Sequence, residues 1–176
     1  MSDAKSQSAT SSEVDIRAVE SFIFREARLA DEHEYAAWEA LWTDDATYWV
    51  PAGRMDEPTG AMSIISDNRH RIATRIKQLE SGRRYAQAPP SRLRRIVSNI
   101  EVMGETEVGD VRVEANFVLV EARERASHTW AGRLTYHLRS DANSTSGLRS
   151  DGFAMSYKLV DLVDREWAQP SIAFLI

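Results

Sequence analysis

Cysteine is absent from the 176 residues of the chain, and several kinds of chemistry are absent with it. Without thiols the chain can form neither disulfides nor cysteine-ligated zinc or iron–sulfur centres, and it has no thiolate nucleophile. No two of the eight glycines have G-x-G spacing, so the sequence offers no dinucleotide-binding fingerprint and no phosphate loop. The G-x-S-x-G pattern of a serine nucleophile is also missing.

Long hydrophobic runs and excess positive charge are lacking as well. No apolar run approaches the roughly 18 residues that span a bilayer, and the N-terminal residues lack the hydrophobic segment of a secretory signal. We therefore expect a cytoplasmic protein with no membrane partner. Lys and Arg total 22 against 27 Asp and Glu, and the resulting net charge of −5 repels a polyanion such as nucleic acid.

The remaining composition is typical of a folded protein. Hydrophobic residues make up 43% of the chain, which at this length fits one domain with a substantial core. The first dozen residues are small and polar and have nothing to bury. The sequence thus predicts a disordered tail over residues 1–12 and a single domain over residues 13–176.

Helical periodicity dominates the first half of the chain. Ser12 followed by Asp15 predicts the start of one helix, and Asp31 followed by Glu34 predicts the start of a second. A third helix is predicted after Asp67, which would act as its cap. The three apolar faces would consist of Val19, Phe22, Ile23, Ala27 and Ala30, then Tyr35, Trp38, Leu41 and Trp42, and finally Ile72, Ile76 and Leu79.

Strand patterns follow the helices. In "DDATYWVP" the two aspartates are expected to end the second helix, and residues 47–50 to form a strand that Pro51 closes. Four longer strands are predicted over residues 93–103, 111–122, 129–139 and 153–163. Helices followed by long antiparallel strands predict an α+β fold, with the helices packed on one face of a curved sheet.

Candidate acid–base and metal-binding residues are few. None of the histidines has the spacing of a helical metal pair, and we interpret His33, His70, His128 and His137 as surface or core residues rather than ligands. A general base could come from Asp44, Asp45 or Asp67, although turn and capping roles explain all three. The aromatic side chains could line a ligand pocket, but core packing is the favoured interpretation for Trp38, Trp42, Tyr48 and Trp49.

Three arginines stand within four residues at the start of a predicted strand, in "PPSRLRRIVSNIEV". The alternatives for Arg92, Arg94 and Arg95 are a partner interface, salt bridges within the chain, and nucleic acid. Arginine is suited to carboxylate pairing across an interface, and the net negative charge disfavours nucleic acid. We therefore favour the partner interface, while the intrachain alternative stays open.

Several segments in order resemble one known family. They are "FIFREARLADEHEYAAWEALWTDDATYWVP", "SDNRHRIATRIKQL", "PPSRLRRIVSNIEV", "YKLVDLVD" and "SIAFLI". Together they are similar to the small (beta) subunit of Rieske-type aromatic-ring-hydroxylating dioxygenases. The resemblance implies an NTF2-like, scytalone dehydratase-like cone, in which N-terminal helices pack on a curved antiparallel sheet.

The resemblance also implies partners and cofactors. The large (alpha) subunit would carry a Rieske 2Fe-2S cluster and a mononuclear non-heme iron, with NADH as the electron source through ferredoxin and reductase components. Three large and three small subunits would form a hexamer in the bacterial cytoplasm. This chain itself would then hold no catalytic, cofactor-binding or metal-binding residue, and its interface would include Arg92, Arg94, Arg95 and Asn99.

A free-standing NTF2-like dehydratase or isomerase is the alternative function. Such an enzyme needs an acid and a base that converge in one pocket, and Asp45 and His70 are the nominal candidates. The sequence favours the dioxygenase subunit.

Overall fold

The structure is a computed structural model that describes residues 14–53, 62–82, 89–140 and 152–176. The predicted tail over residues 1–12, which includes the predicted cap Ser12, lies outside the described residues. In chain order the elements are α1 (Ile16–Asp31), α2 (Tyr35–Glu39), β1 (Trp42–Pro51), β2 (Ser63–Asn68), α3 (Arg69–Glu80), β3 (Arg92–Glu105), β4 (Val111–Arg123), β5 (Ala126–Ser140) and β6 (Phe153–Leu162).

The strands form one six-stranded sheet in the order β2-β1-β6-β5-β4-β3. Every neighbouring pair is antiparallel except β1 and β6, which run parallel. The predicted α+β architecture, with N-terminal helices on a curved sheet, is confirmed. The sheet is mixed rather than purely antiparallel, because the first and last strands lie side by side.

The core lies between the helices and the inner face of the sheet. Strand alternation is clear in β4, where Val113, Phe117 and Leu119 are buried while Val118 and Val120 are exposed. The amphipathic face of α1 covers the inner face next to β3, as the helical spacing predicted. The assignment of the aromatic residues to the core is confirmed, since the buried set includes Trp38, Trp42, Tyr48 and Trp49.

The region between α1 and β1 differs from its prediction. Asp31 does not cap α2, because it is the last residue of α1 and its carboxylate bonds Arg95 instead. Helix α2 is only five residues long, and Trp42 already belongs to β1 together with Asp44 and Asp45. Tertiary pairing of β1 with β2 and β6 thus overrides the helical spacing of these aromatic residues.

The start of α3 is also shifted from its prediction. The N-cap is Asn68, whose side-chain oxygen accepts a hydrogen bond from the Arg71 amide at 3.0 Å. Asp67 is the residue before the cap, and its carboxylate pairs with Arg75 Nε at 2.6 Å. The short strand β2 was not predicted, because its six residues mix serine, aspartate and asparagine with two isoleucines. Among the described residues, no helix combines the length and apolar character needed to cross a membrane.

Candidate functional site

A buried ion pair joins the first helix to the last strand. Lys158 on β6 is fully buried, and its Nζ lies 2.8 Å from Oε1 of Glu26 on α1, which is 1% exposed. Two further donors satisfy this carboxylate, the indole Nε1 of Trp38 at 2.6 Å and the hydroxyl of Tyr136 at 3.3 Å. The Glu26 carboxylate therefore accepts hydrogen bonds from side chains of α2, β5 and β6.

A second buried pair lies beside the first. Arg95 Nε is 2.7 Å from Asp31 Oδ1, and both side chains are 3% exposed. The other oxygen of Asp31 accepts a hydrogen bond from the main-chain N–H of Arg95 at 2.8 Å. Arg95 also donates from Nη2 to the main-chain oxygen of Leu175 at 2.6 Å. The two pairs place two cations and two anions in the interior, so their formal charges cancel.

Residues 174–176 lie in the core next to the two ion pairs. Phe174, Leu175 and Ile176 are at most 2% exposed and belong to the hydrophobic core. The main-chain oxygen of Ile176 accepts hydrogen bonds from the Tyr48 hydroxyl at 2.6 Å and from Lys158 Nζ at 2.9 Å. The interior of the cone is thus occupied by the chain itself.

The titration of these groups follows from burial and charge. Burial alone would raise the pKa of Glu26, but Lys158 and Arg95 hold this pKa below its ordinary value. Burial lowers the pKa of the Lys158 ammonium, and the neighbouring carboxylate opposes this shift only in part. Burial also raises the pKa of the Tyr48 and Tyr136 hydroxyls, which keeps both phenols protonated as hydrogen-bond donors.

The two nominal acid–base residues share a different, open cleft. Asp45 and His70 both line a cleft of about 670 Å³ between β1 and the start of α3. Hydrogen bonds from Arg139 at 2.9 Å and from Thr43 at 2.6 Å lower the pKa of Asp45 to about 2. A carboxylate held in this way is a weak base and no acid near neutral pH. Asp44, which the sequence also offered as a candidate general base, is exposed on β1.

Three of the histidines, His33, His128 and His137, each contact a different aromatic residue. His33 contacts Tyr35 and the main-chain oxygen of Ser91, at 2.9 and 3.0 Å. His128 and His137 both lie on β5, where their rings pack on Trp130 at 4.5 Å and on Tyr157 at 4.6 Å. Within the described ranges, no group of three histidine or carboxylate side chains is arranged to hold a metal ion.

The three arginines of β3 have different surroundings. Arg95 points into the subunit and is bonded to Asp31, as the intrachain alternative describes. Arg92 and Arg94 are exposed, and Arg94 stands opposite Val120 on the neighbouring strand. Asn99 is exposed with a φ of 52°, at the register shift between Ser98 and Glu101.

Exposed aliphatic side chains adjoin the two outward arginines. Ile96 is 70% exposed and stands opposite Val118, which is 43% exposed. Val120 is 45% exposed. We call this surface the β3 patch, and its residues are Arg92, Arg94, Ile96, Val118 and Val120.

Sequence reasoning missed the interior network altogether. Glu26 lies among the apolar residues of the first helix at core-facing spacing, and Lys158 interrupts the apolar strand segment "YKLVDLV". A charged residue at an inward position of each element was the available signal. Nothing in the sequence indicated that the two would meet.

Comparison with known proteins identifies the family. Residues 25–150 match the family described as ring hydroxylating beta subunit. The chain is 30% identical over 124 residues to the small oxygenase component of the p-cumate 2,3-dioxygenase system of Pseudomonas putida. The aligned region covers 69% of this chain and 68% of that protein.

Solved structures share the fold. The beta subunit of the benzoate 1,2-dioxygenase of Burkholderia mallei has a TM-score of 0.68 at 23% identity, over 85% of this chain and 91% of that one. A chain of naphthalene 1,2-dioxygenase with indole bound has a TM-score of 0.70 at 15% identity, over 94% and 89%. The chain therefore belongs to the ring-hydroxylating beta subunit family and is the small subunit of a ring-hydroxylating dioxygenase.

Proposed function

We propose that this small subunit is non-catalytic and supports a large subunit that carries the Rieske 2Fe-2S cluster and the mononuclear iron. Electrons would originate from NADH and arrive through separate electron-transfer proteins. The observation that carries the proposal is the pairing of Glu26 with Lys158, because the acid and base of the interior are bonded to each other. Neither group is available to transfer a proton to a substrate.

Assembly through the β3 patch is the second part of the proposal. An aliphatic centre of Ile96, Val118 and Val120 with arginines beside it has the composition of a protein interface. Arg92 and Arg94 would pair with carboxylates of the large subunit, and Asn99 would lie at the margin of the contact. We leave Arg95 out of the proposed contact, since its guanidinium bonds Asp31 and the main-chain oxygen of Leu175. We propose a hexamer of three large and three small subunits.

Reconstitution tests the division of labour. The purified small subunit should contain no stoichiometric iron and show no oxygenase activity. Activity should appear when the large subunit, the electron-transfer proteins and NADH are added, with benzoate, p-cumate and naphthalene as the trial substrates. About one tightly bound iron per small subunit, lost in the His70→Ala or His33→Ala variant, would contradict the proposal.

The mass of the assembled enzyme tests the stoichiometry. Light scattering coupled to size-exclusion chromatography should give the mass of a three-plus-three complex. A mass that corresponds to another ratio of subunits would refute the hexamer while leaving the non-catalytic role in place.

A further inference from the structure

A row of exposed apolar side chains crosses the outer face of the sheet and extends beyond the β3 patch. Ile96 stands opposite Val118, and Val118 stands opposite Ala131 on β5. The main-chain N–H of Val163 donates to the oxygen of Ala131 at 3.0 Å, which continues the row just past the end of β6. Ile96, Val118 and Val163 are 70%, 43% and 79% exposed. Three strand spacings of about 4.8 Å make the row about 14 Å wide.

An exposed tryptophan lies at the far end of this row. Trp167 is 76% exposed, and together with Ala131 and Val163 it lines a cleft of about 520 Å³. The other four tryptophans are at most 4% exposed. A large exposed aromatic side chain next to exposed aliphatic ones indicates a surface that contacts another protein. We call this surface the outer row, and its residues are Ile96, Val118, Ala131, Val163 and Trp167.

The two ends of the outer row carry opposite charges. Arg92 and Arg94 are exposed at the β3 end. At the other end Glu166 is exposed and Asp164 is half-buried, and both line the cleft beside the tryptophan. Among the described residues, none of these four side chains has an ion-pair partner. The outer row is thus basic at one end and acidic at the other, and both ends are available for pairing with another molecule.

A surface with this charge pattern is complementary to a second copy of itself. A two-fold axis parallel to the strands, placed over the space between β4 and β5, exchanges the basic and acidic ends. Ile96 of each copy then lies over Val163 and Trp167 of the other, and the arginines of each copy face the carboxylates of its partner. Each attraction occurs twice, because the same surface is used by both copies. An axis across the strands would instead bring arginines over arginines.

We propose that two copies of the small subunit pair through the outer row when the large subunit is absent. The contact is small, with one tryptophan anchor per copy, so we expect a dissociation constant on the order of 10 μM. The outer row shares Ile96 and Val118 with the β3 patch. The homodimer and the contact with the large subunit therefore exclude each other, and this second statement rests on the proposed function. Assembly of the oxygenase then requires the homodimer to dissociate.

Sedimentation velocity of the purified small subunit tests the pairing. As the concentration rises from well below to well above about 10 μM, the mass should increase from that of one chain to that of two. The tryptophan emission should shift to shorter wavelength over the same range, because Trp167 is the tryptophan that the contact would bury. Trp167→Ala should weaken the dimer at least about tenfold and abolish the shift. A mass of one chain at every concentration would overturn the proposal.

Charge reversal at each end tests the two-fold arrangement. Arg92→Glu with Arg94→Glu makes both ends acidic, and Asp164→Arg with Glu166→Arg makes both ends basic. Each double variant alone should dimerise at least about tenfold more weakly, because like charges then meet twice. An equimolar mixture of the two should recover the dimer, since every end then meets its opposite. A mixture that stays monomeric, or that forms assemblies larger than a dimer, would refute the two-fold contact.

Arg17→Glu is the matched control, because it reverses an exposed arginine on α1, which covers the other face of the sheet. This variant should dimerise within about twofold of the unchanged protein, and a larger loss would show that net charge rather than the outer row controls pairing.

The large subunit separates this proposal from the proposed function. Added in excess, it should replace the homodimer by the mixed complex, and a complex that still contains the paired small subunits would refute the mutual exclusion. A small subunit that is always monomeric, but whose Trp167→Ala variant binds the large subunit more weakly, would assign the outer row to the large subunit. That result would overturn the homodimer and leave the proposed function in place.

Discussion

Arg94 and Arg95 are adjacent in the sequence and lie on opposite faces of β3. The Arg95 guanidinium is bonded to Asp31 in the interior, whereas Arg94 is exposed opposite Val120. One step along a strand reverses the direction of the side chain, so neighbouring arginines can have separate roles. We therefore expect Arg95 to stabilise the fold and Arg94 to be available for assembly.

Charge reversal at the two positions should have different effects. Arg95→Glu should lower the free energy of unfolding by about 3–5 kcal/mol, because it leaves Asp31 buried beside a second carboxylate. Arg94→Glu should leave the melting temperature unchanged and weaken the complex with the large subunit in size-exclusion chromatography. The reverse pattern would show that Arg94 supports the fold and that the β3 patch is not the contact.

The Glu26–Lys158 pair should be more sensitive to loss of one partner than to loss of both charges. Lys158→Met alone should cost about 3–5 kcal/mol, because the Glu26 carboxylate loses its buried partner. Adding Glu26→Gln should recover much of this loss, since the amide oxygen can still accept from Trp38 while the amide NH2 can donate to the Tyr136 hydroxyl oxygen. Urea unfolding of the two variants measures the difference. Equal free energies of unfolding for the single and double variants would mean that the unpaired Glu26 carboxylate does not destabilise the fold.

The two buried tryptophans should respond differently to phenylalanine. Trp38→Phe removes the 2.6 Å hydrogen bond to Glu26, whereas Trp42→Phe removes an indole N–H that has no hydrogen-bond partner among the described residues. The first variant should therefore be less stable than the second by about 1–3 kcal/mol. Truncation of either residue to alanine should cost about 3–5 kcal/mol through the cavity that remains. Melting temperatures of the four variants test both statements.

Stability should fall in acid in a way that depends on Glu26. Its pKa in the folded protein lies below the 4.5 of an ordinary glutamate, so the folded state favours the ionised form. This contribution is complete above about pH 4.5 and is lost as the pH falls through the folded-state pKa. Urea unfolding between pH 7 and pH 3 should show a smaller decline in Glu26→Gln than in the unchanged protein. Parallel declines would disagree with the assigned shift.

Gly132 should tolerate no side chain. A Cβ at this position of β5 would collide with the main-chain oxygen of Asp161 on β6 and touch the Phe117 ring. Gly132→Ala should therefore destabilise the subunit by about 1–3 kcal/mol or more, since both obstacles are packed and one is backbone. Thermal unfolding measures the loss, and an unchanged melting temperature would mean that β6 can shift away from β5.

The spacing of apolar residues predicted those helices and strands whose periodicity is unambiguous. The apolar face of α1 and the long strands β3, β4, β5 and β6 were found because each maintains its spacing over ten or more residues. The boundary between α2 and β1 was lost because an aromatic-rich run satisfies helical spacing and strand propensity equally well. Pairing with strands far along the chain decided between the two.

The buried ion pairs could not be predicted from the sequence either, because the paired residues are far apart along the chain. Asp31 resembles a helix cap locally, and its actual partner Arg95 is 64 residues away. Lysine at position 158 would ordinarily be read as exposed, and only its position opposite Tyr136 on β5 shows that it faces inward. Roles that depend on such distant partners are visible only in three dimensions.

The parallel pairing of β1 with β6 has a consequence for the order of folding. The early strand β1 has no β6 neighbour until residues 155–159 exist, and the Tyr48 hydroxyl bonds a residue 128 positions later. During synthesis, therefore, β1 can pair with β2 early, but its other edge stays unpaired until residues 155–159 have emerged. Contacts of such long range are formed slowly, and the nascent subunit should depend on a chaperone for that interval.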